Sequence, residues 1–422
     1  MSLRTLYVCY FGLREPLVQT QVVPYLGELA RRGVEPHLMT FEPNEKENWT
    51  SDEVKKWKDH LRSIGIQWIS LPYHKSPSLP ATIFDIVAGA RKVVQLTCQR
   101  SIDVIHARSH VPMAMVLLSG AGSRCQTIFD IRGLLAEEYA DAGIWSVDGA
   151  VFKMVKKIEE MGIRRADHVI VLTERLREWL IQNKGVSNDK ITVIPCCVDL
   201  SKYEVGLEEN ARGEFKVVYA GSVTGLYLLE EMGRFFLALK RKVAEAKLQI
   251  LTKESAENVK KVLRSVGVAE RDFEVASAQP SDIPGHLCRA SLGISFRKPT
   301  FSQIAASPTK IPEYLAAGLP VVSNAGIGDT DLIVERERVG VVLDDFTESS
   351  YERAVDRALA LVEEPEVRER CRSVARAYFD LQEVGGRRYY DVYEMLAAGE
   401  MPRATFPLSS GRKRSRADRF KR

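Results

Sequence analysis

Short apolar runs alternating with amphipathic stretches set the pattern of this chain. TLYVCYF (Thr5 to Phe11), HLMTF (His37 to Phe41), WISLP (Trp68 to Pro72) and DVIHA (Asp103 to Ala107) read as strands apolar on both faces. TIFDI (Thr127 to Ile131), HVIVLT (His168 to Thr173) and ITVIP (Ile191 to Pro195) continue the series. Between them lie helical patterns such as VVPYLGELARRG. There Val23, Leu26, Leu29 and Ala30 keep helical spacing and Gly33 closes the helix. Strands apolar on both faces, alternating with helices, predict a parallel sheet covered on both sides.

The pattern pauses at VDLSKYEVGLEENARGE and then resumes. FKVVYAG (Phe215 to Gly221), LQILT (Leu248 to Thr252), FEVA (Phe273 to Ala276), LGISF (Leu292 to Phe296), PVVS (Pro320 to Ser323) and GVVL (Gly340 to Leu343) form a second series. The expected organisation is an N-terminal Rossmann-like domain over residues 1–200, a linker over 201–214 and a second such domain over 215–385. A C-terminal helix over 386–400 and a basic tail over 401–422 complete it. Two doubly wound domains would offer the carboxyl ends of their strands to one cleft.

Composition narrows this little. The 422 residues exceed what one core accommodates, and 45% hydrophobic with 27% charged residues is ordinary for a globular protein. No apolar run approaches the roughly 18 to 20 residues of a bilayer span, and MSLRTLYVCYF lacks the apolar core of a signal peptide. Seven cysteines without a C-x-x-C pair fit reduced thiols and a cytoplasmic setting. The tail SSGRKRSRADRFKR reads as solvated and aperiodic, or as a peripheral contact with anionic lipid at the inner face of the cytoplasmic membrane. Such a contact contributes about 1 kcal/mol per basic residue. No recognition motif accompanies the charge, so nucleic acid is not an expected partner.

The candidate chemistry centres on SPTKIPEYLAAGLPVVSN, from Ser307 to Asn324. Ser307 followed by Pro308 predicts a helix start, with the serine as N-cap and proline at the first helical position. The amides of Thr309 and Lys310 would then leave a positive helix end, and Lys310 adds a charged donor. Glu313 shares the face of Lys310 and suits two neighbouring hydroxyls, as on a ribose. Gly318 is the expected helix stop. A capped helix with a surface Lys–Glu pair is the plainer alternative.

That segment resembles the nucleotide-sugar site of retaining glycosyltransferase family 4, whose fold is GT-B. DVIHARS, FDIRG, RRADHVIVLTERLREWL, ITVIPCCVDLSKY, FKVVYAGS, VGVVLDD and RRYYDVYEML resemble family segments in their expected order, from about Thr5 to Leu396. The resemblance implies that Glu313 binds the donor ribose and that the amides just before it bind the diphosphate. It implies a UDP- or GDP-linked sugar as substrate, no cofactor, no metal, and a glycan or lipid-linked acceptor. The chain departs from the family at Ala305, where a sugar-binding glutamate is usual. It departs again after Gly221, where Ser222 replaces an arginine and no lysine follows. Lys310, Arg297 and Lys298 would then supply the countercharge.

On the first domain, His106 and Arg108 lie at the end of one strand, and Asp130 and Arg132 at the next, with Glu138 soon after. Arg132, Asp130 and His106 are the candidate catalytic residues, His106 as a general base, and Arg108 and Glu138 are expected on the acceptor side. Arg132 stands where many family members carry a histidine near the anomeric carbon, and its permanent charge suits phosphate or acceptor binding. An Asp130–Arg132 salt bridge serving only the fold is the plainer alternative, as is a structural His106. The turn FGLREPLVQTQVVPYL presents Gln19, Thr20 and Gln21 at a helix start, on the side where the family meets phosphates and acceptor. Gly12 in that turn would permit close backbone approach. Asp329-Thr330-Asp331 mimics the D-x-D metal motif of another glycosyltransferase fold, which GT-B does not need. The function expected is sugar transfer with retention. The alternatives are a nucleotide-sugar epimerase on the same fold and a non-catalytic subunit of a polysaccharide assembly complex.

Overall fold

The computed structural model describes residues 3–43, 49–76, 78–203 and 215–399. Every expected strand forms. The first sheet contains β1 (Leu3–Cys9), β2 (Val34–Pro43), β3 (Gln67–Tyr73), β4 (Val104–Arg108), β5 (Gln126–Ile131), β6 (His168–Val171) and β7 (Ile191–Val193). The second contains β8 (Lys216–Ala220), β9 (Lys247–Leu251), β10 (Phe273–Ala276), β11 (Leu292–Ser295), β12 (Val321–Asn324) and β13 (Gly340–Leu343). Both are parallel, in the orders β3-β2-β1-β4-β5-β6-β7 and β10-β9-β8-β11-β12-β13.

Alternation along each strand feeds two cores per sheet. Leu6 and Val8 of β1 join Ile105 and Phe129 on one face, while Tyr7 and Cys9 join Val104 and Ile128 on the other. Each fully buried aliphatic side chain contributes about 1.5–3 kcal/mol. Helices on both faces follow, as the continuous apolar strands require. The order of strands reverses between β1 and β4, and again between β8 and β11, which opens a crevice at the carboxyl edge of each sheet.

The chain finishes on the domain where it began. Val198 N–H donates to Phe379 O (2.8 Å), and Leu381 N–H donates back to Val198 O (3.0 Å). The helix Arg387–Ala398 then packs Tyr389, Val392 and Tyr393 into the first domain's core. Of the expected linker, Leu200–Tyr203 forms one 3-10 turn, and residues 204–214 lie outside the described residues, as does the basic tail.

The Asp329-Thr330-Asp331 motif joins the two domains. Asp329 accepts from the Glu174 and Arg175 amides (2.7 and 3.2 Å), so a second-domain carboxylate caps the first-domain helix Glu174–Lys184. Arg175 pairs with Asp331 at 2.9 Å, and Thr173 Oγ1 donates to Ile304 O at 2.6 Å. Among the described residues, no helix is long and apolar enough to cross a membrane.

Candidate functional site

The second sheet's crevice gathers most of the expected donor-side residues. β8 ends at Ala220, and Gly221 follows with φ +132°. A Cβ on Gly221 would lie 3.2 Å from Lys310 Cε and 3.3 Å from Nζ, so glycine is what lets the lysine lie across the loop. Lys310 is 3% exposed, with Nζ 3.8 Å from the Tyr227 ring centre and 4.8 Å from that of Tyr219. Burial pulls its pKa below the ordinary lysine value, with Tyr227 opposing. Burial alone would raise the Tyr227 phenol, but Lys310 and Arg297 together hold it lower.

Arg297 lies just past β11. It donates to the Tyr227 hydroxyl (2.8 Å) and to Gln303 Oε1 (2.7 Å), while Asn324 Oδ1 accepts from its backbone amide (2.8 Å). Neither Lys310 nor Arg297 forms an ion pair among the described residues. Within ion-pair distance, these two cations meet only ring faces and neutral oxygens among the described residues. Lys298 is turned to the domain seam, where Nζ donates to Asp141 O at 3.1 Å, and so adds no charge to this pocket. Ser222 is exposed on the loop and donates to Glu254 Oε1 at 3.1 Å.

The helix after this loop begins later than Ser307. It spans Lys310–Ala316 with Thr309 as N-cap. The Ser307 hydroxyl instead accepts from the Cys196 amide of the first domain at 3.0 Å. A partner across the seam has taken the hydroxyl that local sequence assigns to capping. Ile311 N–H turns back to Pro308 O (3.1 Å), leaving the Thr309 and Lys310 amides ahead of it. Pro312 sits at the third helical position, where an amide has no intrahelical partner to lose. Gly318 stops the helix at φ +72°, as expected. Tyr314 fixes it against both strands of the crevice, accepting from Ala220 N–H (2.9 Å) and donating to Ile294 O (3.3 Å).

Glu313 is half-buried on this helix, and its carboxylate makes no hydrogen bond or ion pair among the described residues. Burial pushes its pKa up to about 7 despite Lys310 and Lys202. Ala305 is fully buried among the first domain's core residues. A glutamate there would have to enter the packed domain seam, so the departure at this position is a packing feature.

Across the cleft, Asp130 is fully buried with Arg132 at 3.6 Å, Arg108 at 3.8 Å and His106 at 3.3 Å. Burial alone would raise its pKa, but Arg132, the His106 hydrogen bond and Arg108 hold the carboxyl well below the usual range. His106 does not reach the cleft. Its Nδ1 lies 2.9 Å from the Tyr393 hydroxyl, it stacks on Tyr389, and burial keeps it neutral by lowering its pKa. Tyr389 also donates to Asp130 at 2.7 Å. His106 and Asp130 thus tie the C-terminal helix to the strand ends. Arg132 leans toward the seam, 3.4 Å from Cys196 Sγ, beside the residue whose amide holds Ser307.

Glu138 is half-buried and folds over Gly133, where a Cβ would fall 2.3 Å from its Oε1. Burial raises its pKa, with Arg297 and His110 opposing. Gln19 is partly buried, and Thr20 donates to its own helix at Pro16 O (2.9 Å). Gln21 is drawn inward to Cys197 O (3.0 Å). The approach at Gly12 is made by the Glu42 carboxylate, 2.9 Å from where a Cβ would sit.

The tyrosines around Lys310 were not legible as site residues, because an aromatic in a strand run reads first as core. Ser109 was missed as well. It adopts φ +73° and ψ −176°, a region suited to glycine, at the end of β4. Its N–H is held by Asp130 O at 2.8 Å.

Two facing Rossmann-like sheets with a cationic crevice on the second define the GT-B class of fold. Residues 18–202, less than half of the chain, match the family model described as Glycosyltransferase Family 4. No curated protein matches. Solved structures match over nearly the whole length. A glycosyltransferase from Rickettsia africae shares 14% identity with a TM-score of 0.69, covering 94% of this chain and 99% of that one. Anabaena HepE, solved with UDP and glucose, shares 15% identity with a TM-score of 0.65, covering 94% and 100%. A UDP-N-acetylglucosamine 2-epimerase is further off, at 10% identity and a TM-score of 0.60, covering 96% and 100%.

Proposed function

We propose that this chain is a glycosyltransferase moving a sugar from a nucleoside-diphosphate donor to a hydroxyl acceptor, with retention and without a metal. One observation carries the reading. Lys310 and Arg297 are brought together around Tyr227, Lys310 lying beside Gly221, with no carboxylate within ion-pair distance among the described residues. Two such cations at a parallel-sheet switch point suit a diphosphate. The amides of Thr309 and Lys310 add donors, and Glu313 accepts from the ribose hydroxyls. Arg132 approaches the same seam from the first domain, held by Asp130 and His106. These two act as positioning residues and Arg132 as the group that meets phosphate.

The chemical step then depends on electrostatics. Charge develops on the leaving diphosphate and is met by fixed cations in a site that excludes water. The acceptor would enter from the first domain's side, past Arg108, Gln19, Thr20 and Glu138. The family match in that domain and the UDP of the HepE structure support a UDP-linked donor.

Calorimetric titration with UDP, GDP and ADP tests the donor site. We expect one of the three to bind wild type, and Lys310→Met to weaken it about 10- to 150-fold, the loss of one charged hydrogen bond. Absence of binding, or an unchanged affinity in Lys310→Met, would overturn the assignment. Incubating the donor that binds with the protein alone, and finding an epimer, would favour the epimerase reading instead.

A further inference from the structure

The carboxyl edge of the first sheet carries another cluster, unused by the donor site. β3 ends at Tyr73, and the next residue, His74, has a side chain 43% exposed. Asp85, fully buried on the helix Ser78–Arg100, grips it twice: His74 N–H donates to Oδ2 (3.0 Å), and Nδ1 lies 2.6 Å from Oδ1. Asp85 also accepts from the Tyr10 hydroxyl at 2.8 Å. A carboxylate in this position engages Nδ1 and leaves Nε2 as the ring nitrogen available to a ligand hydroxyl.

Aromatic rings lie beside the imidazole and its carboxylate. Phe84, 59% exposed, meets the imidazole edge-on at 5.0 Å, and Tyr73 meets Tyr10 at 5.3 Å. The Tyr73 phenol is raised by burial and then by Asp85 and Tyr139. Tyr139 stacks on Trp145 at 4.3 Å and comes two residues before Asp141, whose carbonyl and carboxylate accept from Lys298 and Ser302 of the second domain. Because β3 ends at the carboxyl edge of the first sheet, the cluster lies on the cleft side of that domain.

We propose that His74 and these rings form a saccharide subsite for the acceptor, with Nε2 taking a hydroxyl hydrogen bond and the rings covering a C–H face. A sugar presents that mixture of hydroxyl edge and apolar face, whereas Asp85 has no use in a site for hydrocarbon alone. The proposal rests on the glycosyltransferase reading for the word acceptor, but its binding test is independent of the donor.

Saturation-transfer NMR of the full chain with methyl glycosides of glucose, galactose, mannose and N-acetylglucosamine, with and without UDP, tests it. We expect at least one glycoside to bind and His74→Ala to weaken it fivefold or more. His74→Gln should retain part of the affinity, and UDP binding should stay within twofold in both variants. Failure of all four glycosides, or binding indifferent to His74→Ala, would overturn the subsite. So would binding of phosphatidylglycerol vesicles that depends on Phe84 without any glycoside signal. A wild type that binds a glycoside through His74 but no nucleotide would overturn the donor reading and leave this one standing.

Discussion

Glu313 is the residue at which stability and binding should oppose each other. Moving a carboxyl from 4.5 to about 7 corresponds to about 3 kcal/mol at 1.36 kcal/mol per pH unit. Partial solvent exposure reduces this to about 2 kcal/mol. The sign follows from proton counting. Between those two pH values the folded state holds a proton that the unfolded state has released. Stability from this group is therefore unimpaired below about 4.5, falls as pH rises through the window, and is lowest above about 7.

Glu313→Gln removes that penalty while keeping the shape. At pH 8 it should raise the melting temperature of the free protein by about 4–8 °C, at about 2–4 °C per kcal/mol for domains of this size. The gain should shrink below pH 5, where the native carboxyl is already protonated. UDP affinity should move the other way, falling about 10-fold or more at pH 8 because a charged acceptor is lost. Comparing variant with wild type at each pH cancels the titration of UDP itself. Thermal melts at pH 5 and 8 with calorimetry at pH 6 and 8 give both readouts. A melting shift that does not change with pH, or equal UDP affinities at pH 8, would refute the placement of Glu313 as an unpaired carboxylate awaiting hydroxyls.

Two further substitutions probe the frame around it. Gly221→Ala should cost about 1–3 kcal/mol of backbone strain and push Lys310 aside, since φ is +132° and the new methyl would lie 3.2 Å from Lys310 Cε. Thermal melts and UDP titration should both fall, and a variant with wild-type values in each would contradict the loop geometry. Asp329→Ala removes a cap that one domain provides for a helix of the other, worth about 0.5–2 kcal/mol. Small-angle scattering should show a larger radius of gyration without nucleotide, and an unchanged radius with an unchanged melting temperature would mean that the clamp does not hold the domains together.

What the sequence disclosed and what it withheld follow from the range of the interactions. Parallel strands buried on both faces leave continuous apolar runs, so all thirteen could be read from the chain. Lys310 and Glu313 were legible for a local reason: charged residues inside an apolar helix raise a question that only a ligand or a partner answers. Ser307 misled because its hydroxyl is claimed by Cys196, more than a hundred positions earlier, and a local capping rule has no access to that amide. His106 misled in the same way. Its partner Tyr393 arrives on the last helix of the second half, which crosses back to the first domain and turns a strand-end histidine into a core contact. Ala305 shows the limit from the other side. The sequence revealed a missing carboxylate, but only packing shows that the domain seam fills the space. Local patterns thus specify the two sheets and one half of the cleft. The other half exists only once the domains meet, so its chemistry must be read from the folded chain.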